Sequence, residues 1–309
     1  MSHEIDRILR AAGRGAWFIA PDKAEQIVAM VALRASMGPR AETAFPDRQA
    51  AALSEDIRSG GKVVRELRLH GAIVPRGNML TDMSGAVSLE RFQAAFRPAA
   101  ADATLGAIVL NIDSAGGNVA LVPETVAMIR AAKRPDRPIV AVANTLCCSA
   151  AYWIGVAADE LVVTPSGEVG SIGVYMLHQD VSEMMAAEGI KSTYIAQGPR
   201  KVEGNPFEPL DEVAKVAFMA QVRETYDMFT ADVARARGVP VSVVRADPET
   251  AERHFGGGRA YGAARAVALG MADRVATLEE TIVRLAKGGR VGGPMRRAAD
   301  FERERLALG

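Results

Sequence analysis

From Val63 onward, short apolar runs alternate with stretches whose apolar residues recur every three or four positions. Residues 67–74, 106–112 and 138–143 are β-branched or almost wholly apolar, and Gly, Pro or Asn bounds them, so they predict buried strands. Residues 89–101 and 119–132 carry the helical period and predict helices between those strands. The alternation continues with a strand at 161–164, a glycine-rich segment at 167–174, a helix within 176–189 and a strand at 192–196. A long helix over 210–237, a short one at 264–269 and a last one at 278–286 follow. Strand–helix alternation with all-apolar strands predicts an α/β protein with a parallel sheet covered on both faces. Functional groups of such sheets gather just past the carboxyl ends of the strands.

The flanks read differently. Residues 1–62 predict a peripheral, mostly helical arm: Pro21 opens a stripe of Ala24, Ile27, Val28, Val31 and Ala32, and a loop over 36–48 follows. Residues 63–287 form the main domain, and 288–309 read as a flexible charged tail.

Two junctions stand out at strand ends. Residues 113–118, Asp-Ser-Ala-Gly-Gly-Asn, follow the 106–112 strand, and residues 144–149, Asn-Thr-Leu-Cys-Cys-Ser, follow the 138–143 strand. Ser149 then opens an apolar helical run over 150–158, where unpaired amides and the positive helix end favour negative charge. Ser149 reads either as a simple helix cap or as a nucleophile. Gly116-Gly117 reads as a tight turn, a phosphate-binding turn, or half of an oxyanion hole in which the Gly117 and Ala150 amides share one oxygen. The dinucleotide fingerprint and the Gly-x-Ser-x-Gly elbow are both absent here. A serine nucleophile needs a base. None of the four histidines lies in a glycine-rich loop, whereas Lys201 does, and it reads either as a solvated charge or as a neutral amine base.

Composition narrows the classes. Lys plus Arg equals Asp plus Glu at 37 each, so no net field favours nucleic acid. No run reaches the roughly 18 apolar residues of a membrane span, which predicts no membrane anchor. The scattered histidines and the adjacent Cys147 and Cys148 give no zinc spacing and a poor disulfide, and no cofactor is expected. A reducing, cytoplasmic setting fits the cysteines.

Four segments together resemble the signal-peptide-peptidase-A family of serine peptidases, in the superfamily of Clp protease and crotonase. They are Asp113-Ser-Ala-Gly-Gly, Cys148-Ser-Ala-Ala-Tyr-Trp, Gly170-Ser-Ile-Gly-Val and Gly198-Pro-Arg-Lys-Val-Glu-Gly-Asn-Pro-Phe. Gly258-Arg-Ala-Tyr and the run from Ala266 to Asp273 resemble the family's closing motif. The resemblance implies a crotonase-like repeated ββα core, with an N-terminal helical arm and C-terminal helices. It implies Ser149 as nucleophile, Lys201 as general base, Ser171 as the hydroxyl that orients the lysine, and Gly117 with Ala150 as oxyanion donors. Trp17-Phe-Ile-Ala-Pro and residues 82–92 are similar to the phage and prophage branch. Its members cleave scaffold or minor capsid proteins during head assembly, so protein substrates (scaffold, portal or capsid), a ring-like homo-oligomer and a site inside proheads or the host cytoplasm are implied. Ala115 stands where the family's turn carries Pro, and the Cys147-Cys148 pair is unusual for it. The alternatives are a cellular peptidase clearing signal peptides or membrane proteins, a catalytically silent head component, and a crotonase acting on acyl-coenzyme A. The last of these does not need Ser149 and Lys201 together.

Overall fold

The structure, a computed structural model, describes residues 53–58, 61–77, 85–289 and 291, together with the backbone of strand Trp17–Ile19. The arm helix expected after Pro21, the rest of residues 1–52 and the tail beyond 291 lie outside the described residues.

The main sheet is built on β3 (Val63–His70), β6 (Leu105–Ser114) and β8 (Ile139–Cys148), which pair in parallel. β2 (Ser54–Arg58) adds antiparallel to β3 at one edge. Residues 54–58 are thus a strand and not the end of a helical arm, because pairing with β3 supplies hydrogen bonds that a short polar helix there lacks. β8 divides its other side: residues 140–143 pair with β9 (Glu160–Val163), and 146–148 pair with β10 (Glu168–Gly170). β11 (Ala260–Gly262) closes the β10 edge antiparallel, and β12 (Arg274–Val275) extends β9 in parallel.

A second, four-stranded sheet holds β1 (Trp17–Ile19), β7 (Gly116–Asn118), β4 (Ile73–Val74) and β5 (Val87–Ser88), in that order. Two units contribute a long strand to the first sheet, short strand structure to the second, then a helix, and β8 passes directly into its helix. β3, β4 and β5 lead to α1 (Leu89–Ala101), and β6 and β7 lead to α2 (Val122–Ala131). This is the expected repeated ββα, mixed α/β core. The single strand expected over 67–74 breaks at Gly71, whose φ of 88° suits glycine and where an added Cβ would lie 1.9 Å from the Gly85 carbonyl oxygen.

Strand alternation divides the interior. Leu67, Leu69, Ile108, Leu110, Ile112, Ile139 and Ala141 face Phe92 and Phe96 of α1, Val126 and Ile129 of α2, and Trp153. Val64, Val109, Val140, Val142 and Val162 face the opposite side, under Ile282 and Leu285 of the last helix, α8 (Leu278–Ala286). Intervening elements are α3 (Ala150–Gly155), α4 (Ser182–Ala187), α5 (Glu212–Arg237), α6 (Val241–Val244) and α7 (Ala263–Ala268). Among the described residues no helix is long and apolar enough to cross a membrane.

The C-terminal part is locked by one buried pair. Arg237 at the end of α5 donates from Nη1 and Nη2 to the two carboxylate oxygens of Asp273, each at 2.8 Å, and from Nε to the Gly270 carbonyl. Asp273 also accepts the Leu161 amide of β9 at 2.8 Å. The side chains are 4% and 2% exposed. Asp273→Ala strands a buried guanidinium, so a loss of about 3–5 kcal/mol is expected. Urea denaturation of the folded variant measures it, and an unchanged midpoint would contradict the account.

Candidate active site

β8 runs straight through residues 144–148, so no loop separates strand from helix at Ser149. Its pairing with β6 shifts between Ile112↔Ala143 and Ser114↔Cys147, which accommodates the polar Asn144-Thr145 as an irregularity within the strand. The whole reversal falls on Ser149, at φ 56° and ψ −122°. A non-glycine residue in that region is strained, and such strain concentrates at functional turns. The Ser149 amide donates to the Gly170 carbonyl at 2.7 Å, and its carbonyl accepts from the Trp153 amide at 3.0 Å. Ser149 makes no side-chain cap to its helix, so the simple cap is not what it does here.

Register brings Ser171 alongside. Cys148 of β8 pairs with Gly170 of β10, and Ser149 and Ser171 are the next residues on each chain. Ser171 shares the positive φ, at 54°, and its amide donates to the Arg259 carbonyl at 2.9 Å. The Gly170 and Arg259 carbonyls thus hold the two serine turns. Sequence reading missed both, since a backbone acceptor leaves no side-chain signal.

Gly117 lies on β7, which packs against α3. Its φ is 156°, and an added Cβ would lie 2.1 Å from the Ile73 carbonyl oxygen, so only glycine lets β7 and β4 approach this closely. Among the described residues the Ala150 amide, first in α3, has no acceptor, which leaves it available for an oxyanion. The structure therefore brings together four of the five expected residues at neighbouring turns: Ser149, Ala150 and Ser171 around the β8 and β10 ends, and Gly117 on the strand against α3.

The fifth is Lys201. Lys201 is exposed, in a turn where its amide donates to the Gly198 carbonyl, and among the described residues no hydrogen bond joins its ammonium to Ser149. The segment from 175 to 210 is an excursion closed on itself: Val181 donates to Pro206, and the His178 ring contacts the Asn205 carbonyl at 3.1 Å. Only α4 is helical within it, and the strand expected at 192–196 is not formed. Leu177, Met184, Ile190, Tyr194 and Ile195 are exposed there, as are Val213, Val216 and Met219 on the first half of α5.

The two cysteines immediately precede the serine. Cys147 donates to the Ala151 carbonyl, and full burial pushes its thiol well above the ordinary value. Cys148 is buried beside the Glu168 carbonyl. A thiol kept protonated is a poor nucleophile.

Comparison with known proteins follows the same lines. The sequence profile of peptidase family S49 matches residues 131–292. Capsid assembly protease C of Escherichia phage lambda is 30% identical over 243 residues, covering 79% of this chain and 51% of that protein. The head-tail preconnector protein GP5 of Enterobacteria phage P21 is 28% identical over 260 residues, again covering 79% and 51%. The chain thus spans about half the length of these curated relatives. A solved ClpP1 mutant from Listeria monocytogenes superposes with a TM-score of 0.41 at 13% identity, covering 70% of this chain and 94% of that one.

Proposed function

The chain belongs to peptidase family S49, and from that premise we propose that it is a serine endopeptidase with a Ser149–Lys201 dyad, acting on scaffold, portal or minor capsid proteins during phage head assembly. The observation that carries the reading is the strained Ser149 turn, where a hydroxyl, an acceptor-free amide and a second strained serine converge. A helix cap needs none of these. The similarity to two phage proteins named for the capsid and the head–tail preconnector supports the substrate class.

In the reaction, neutral Lys201 takes the proton of Ser149 Oγ as that oxygen attacks the scissile carbonyl. The resulting oxyanion accepts from the Gly117 and Ala150 amides. The lysine ammonium then protonates the leaving amine, and a water deprotonated by Lys201 releases the acyl group. Ser171 orients the lysine. In this reading Lys201, which makes no hydrogen bond to Ser149 among the described residues, comes from a neighbouring copy in a ring-like homo-oligomer. The exposed apolar residues of the 175–210 excursion and the first half of α5 supply the contact.

Incubation with the scaffold or portal protein of the same phage, with mass spectrometry of the products, tests the reading. Labelling by a fluorophosphonate should fall on Ser149. The pH profile adds an independent check. A lysine base works only as the free amine, whose unperturbed pKa is about 10.4, so cleavage should rise toward alkaline pH, and Ser171→Ala should weaken it without removing it. A profile governed by an apparent pKa near about 6.5, the histidine value, would count against Lys201.

A further inference from the structure

Gly117 and Ala150, the two amides assigned to the oxyanion, belong to different ββα units, so something must fix their spacing. Each leads at once into a helix. Gly117 reaches α2 through a turn in which the Ala120 amide donates to Asn118 Oδ1 and the Val122 amide to the Val119 carbonyl. Ala150 is itself the first residue of α3, whose fourth residue, Trp153, holds the Ser149 carbonyl by its amide.

Both helices end on one carboxylate. Asp232, in the last quarter of α5, accepts the Trp153 indole N–H on Oδ2 at 2.8 Å. Its Oδ1 accepts from Arg130 Nη1 of α2 at 2.7 Å, and its backbone carbonyl from Arg130 Nη2 at 3.1 Å. Arg235, one turn along α5, adds a longer contact to Oδ1 at 3.3 Å. The Trp153 ring is fully buried and stacks on Phe229 with centroids 4.9 Å apart, so the indole has no freedom to seek another acceptor. A residue whose carboxylate takes a buried indole N–H on one oxygen and an arginine N–H on the other, while its carbonyl takes the arginine's second N–H, fixes two neighbours at once.

We propose that Asp232 is a positioning residue of the peptidase site: by joining Arg130 of α2 to Trp153 of α3, it holds the Gly117 and Ala150 amides at the spacing the oxyanion requires. The role rests on the peptidase reading above. It is carried by hydrogen bonds that a purely structural helix contact does not need, since Phe229 stacking alone already packs α5 on α3.

Asp232→Asn has nearly the same shape, but its amide NH2 replaces one of the two acceptor oxygens. Arg130→Gln cuts the same link from the other helix. Asp227→Asn, also on α5, which loses an exposed ion pair to Arg245 just beyond α6, is the control. The measurements are kcat and KM on a Ser149-dependent peptide substrate, and amide hydrogen exchange over 116–118 and 149–153. Both test variants should lose about 10- to 100-fold in kcat, the range expected when reacting groups shift by about an ångström. KM should change little, exchange should quicken at both turns, and the control should match the unmodified protein. Unchanged exchange at the turns in both test variants overturns the clamp whatever cleavage does. Faster exchange with undiminished kcat overturns its part in the reaction. If the unmodified protein shows no Ser149-dependent cleavage, the peptidase reading fails in its own arm of the experiment, and the positioning role fails with it.

Discussion

Ser149→Ala and Lys201→Ala are each expected to abolish peptide cleavage, by on the order of 10⁴-fold or more, while the protein stays folded. The two sites make this a clean test for different reasons. Ser149 is 1% exposed, and its hydroxyl caps nothing in its helix, so alanine removes one oxygen and inherits the same backbone angles. Lys201 is exposed, and among the described residues its ammonium has no partner, so its removal leaves the stability of the single chain unchanged. A lost activity at either position therefore reports chemistry and not unfolding, which a matching melting temperature would verify. Groups that act as one unit are non-additive, so the double variant should be no worse than either single one. Cys148→Ala serves as the control beside the nucleophile and should retain cleavage. The opposite pattern, with cleavage kept in Ser149→Ala and lost in Cys148→Ala, would transfer the nucleophile to the thiol. Full activity in Lys201→Ala would remove the lysine from the mechanism.

The elements that were legible in the sequence are those whose ends carry their own chemistry. Helix Leu89–Ala101 begins where Ser88 accepts the Arg91 amide, and Leu278–Ala286 begins with a capping box between Thr277 and Glu280, so patterning and structure agree on their limits. The parallel core strands were legible because both of their faces are buried. β8 ran five residues beyond its expected end because Asn144 and Thr145, polar and in turn-like company, sit in a register shift that only the neighbouring β6 defines. The site divides along the same line. Ser149 and Gly117 stood out as candidates because turns at strand ends confine the choice of residue, Ser171 was named only through the family resemblance, and Asp232 lay hidden in a helix read only for its apolar period. The strand expected at 192–196 is the element that did not form, although the helix expected within 176–189 did, as Ser182–Ala187. The apolar residues of 176–196 suggested a helix and a strand with a core to cover, and in the single chain most of that segment is irregular and much of its apolar surface faces solvent. Patterning records that a residue is destined for burial and says nothing about which chain will bury it.

That last point carries the second large effect. Ser149→Ala and Lys201→Ala proteins, each inactive alone, are expected to regain cleavage when mixed under conditions that let subunits exchange. Within one chain the serine is buried at the β8–α3 turn and the lysine is exposed on an excursion, with no hydrogen bond between them among the described residues, and the proposal that an intact pair joins two copies rests on this. The exposed Leu177, Met184, Ile190, Tyr194 and Ile195 lie on that same excursion, and Val213, Val216 and Met219 lie on the adjoining turns of α5. A contact that buries these residues moves the lysine-bearing turn onto a neighbour. The excursion and the serine turn are different surfaces, so copies that meet through them either pair about a two-fold axis or, in the ring-like form proposed above, repeat the contact head to tail until it closes. In a randomly mixed ring, the alanine at 149 of one copy sometimes meets the alanine at 201 of the next, which removes both changes to one site. The adjacent site of the opposite order then holds Ser149 and Lys201 together. Recovery should therefore approach about a quarter of full activity at equal mixing, the product of two one-half probabilities, and should fall as either variant is put in excess. Charge substitutions at Ile195 or Val216 should block both assembly and recovery. A monomer that is fully active by light scattering and assay, or no recovery after exchange has been proven by mass, would instead mean that Lys201 reaches Ser149 within its own chain by a movement of the 175–210 excursion.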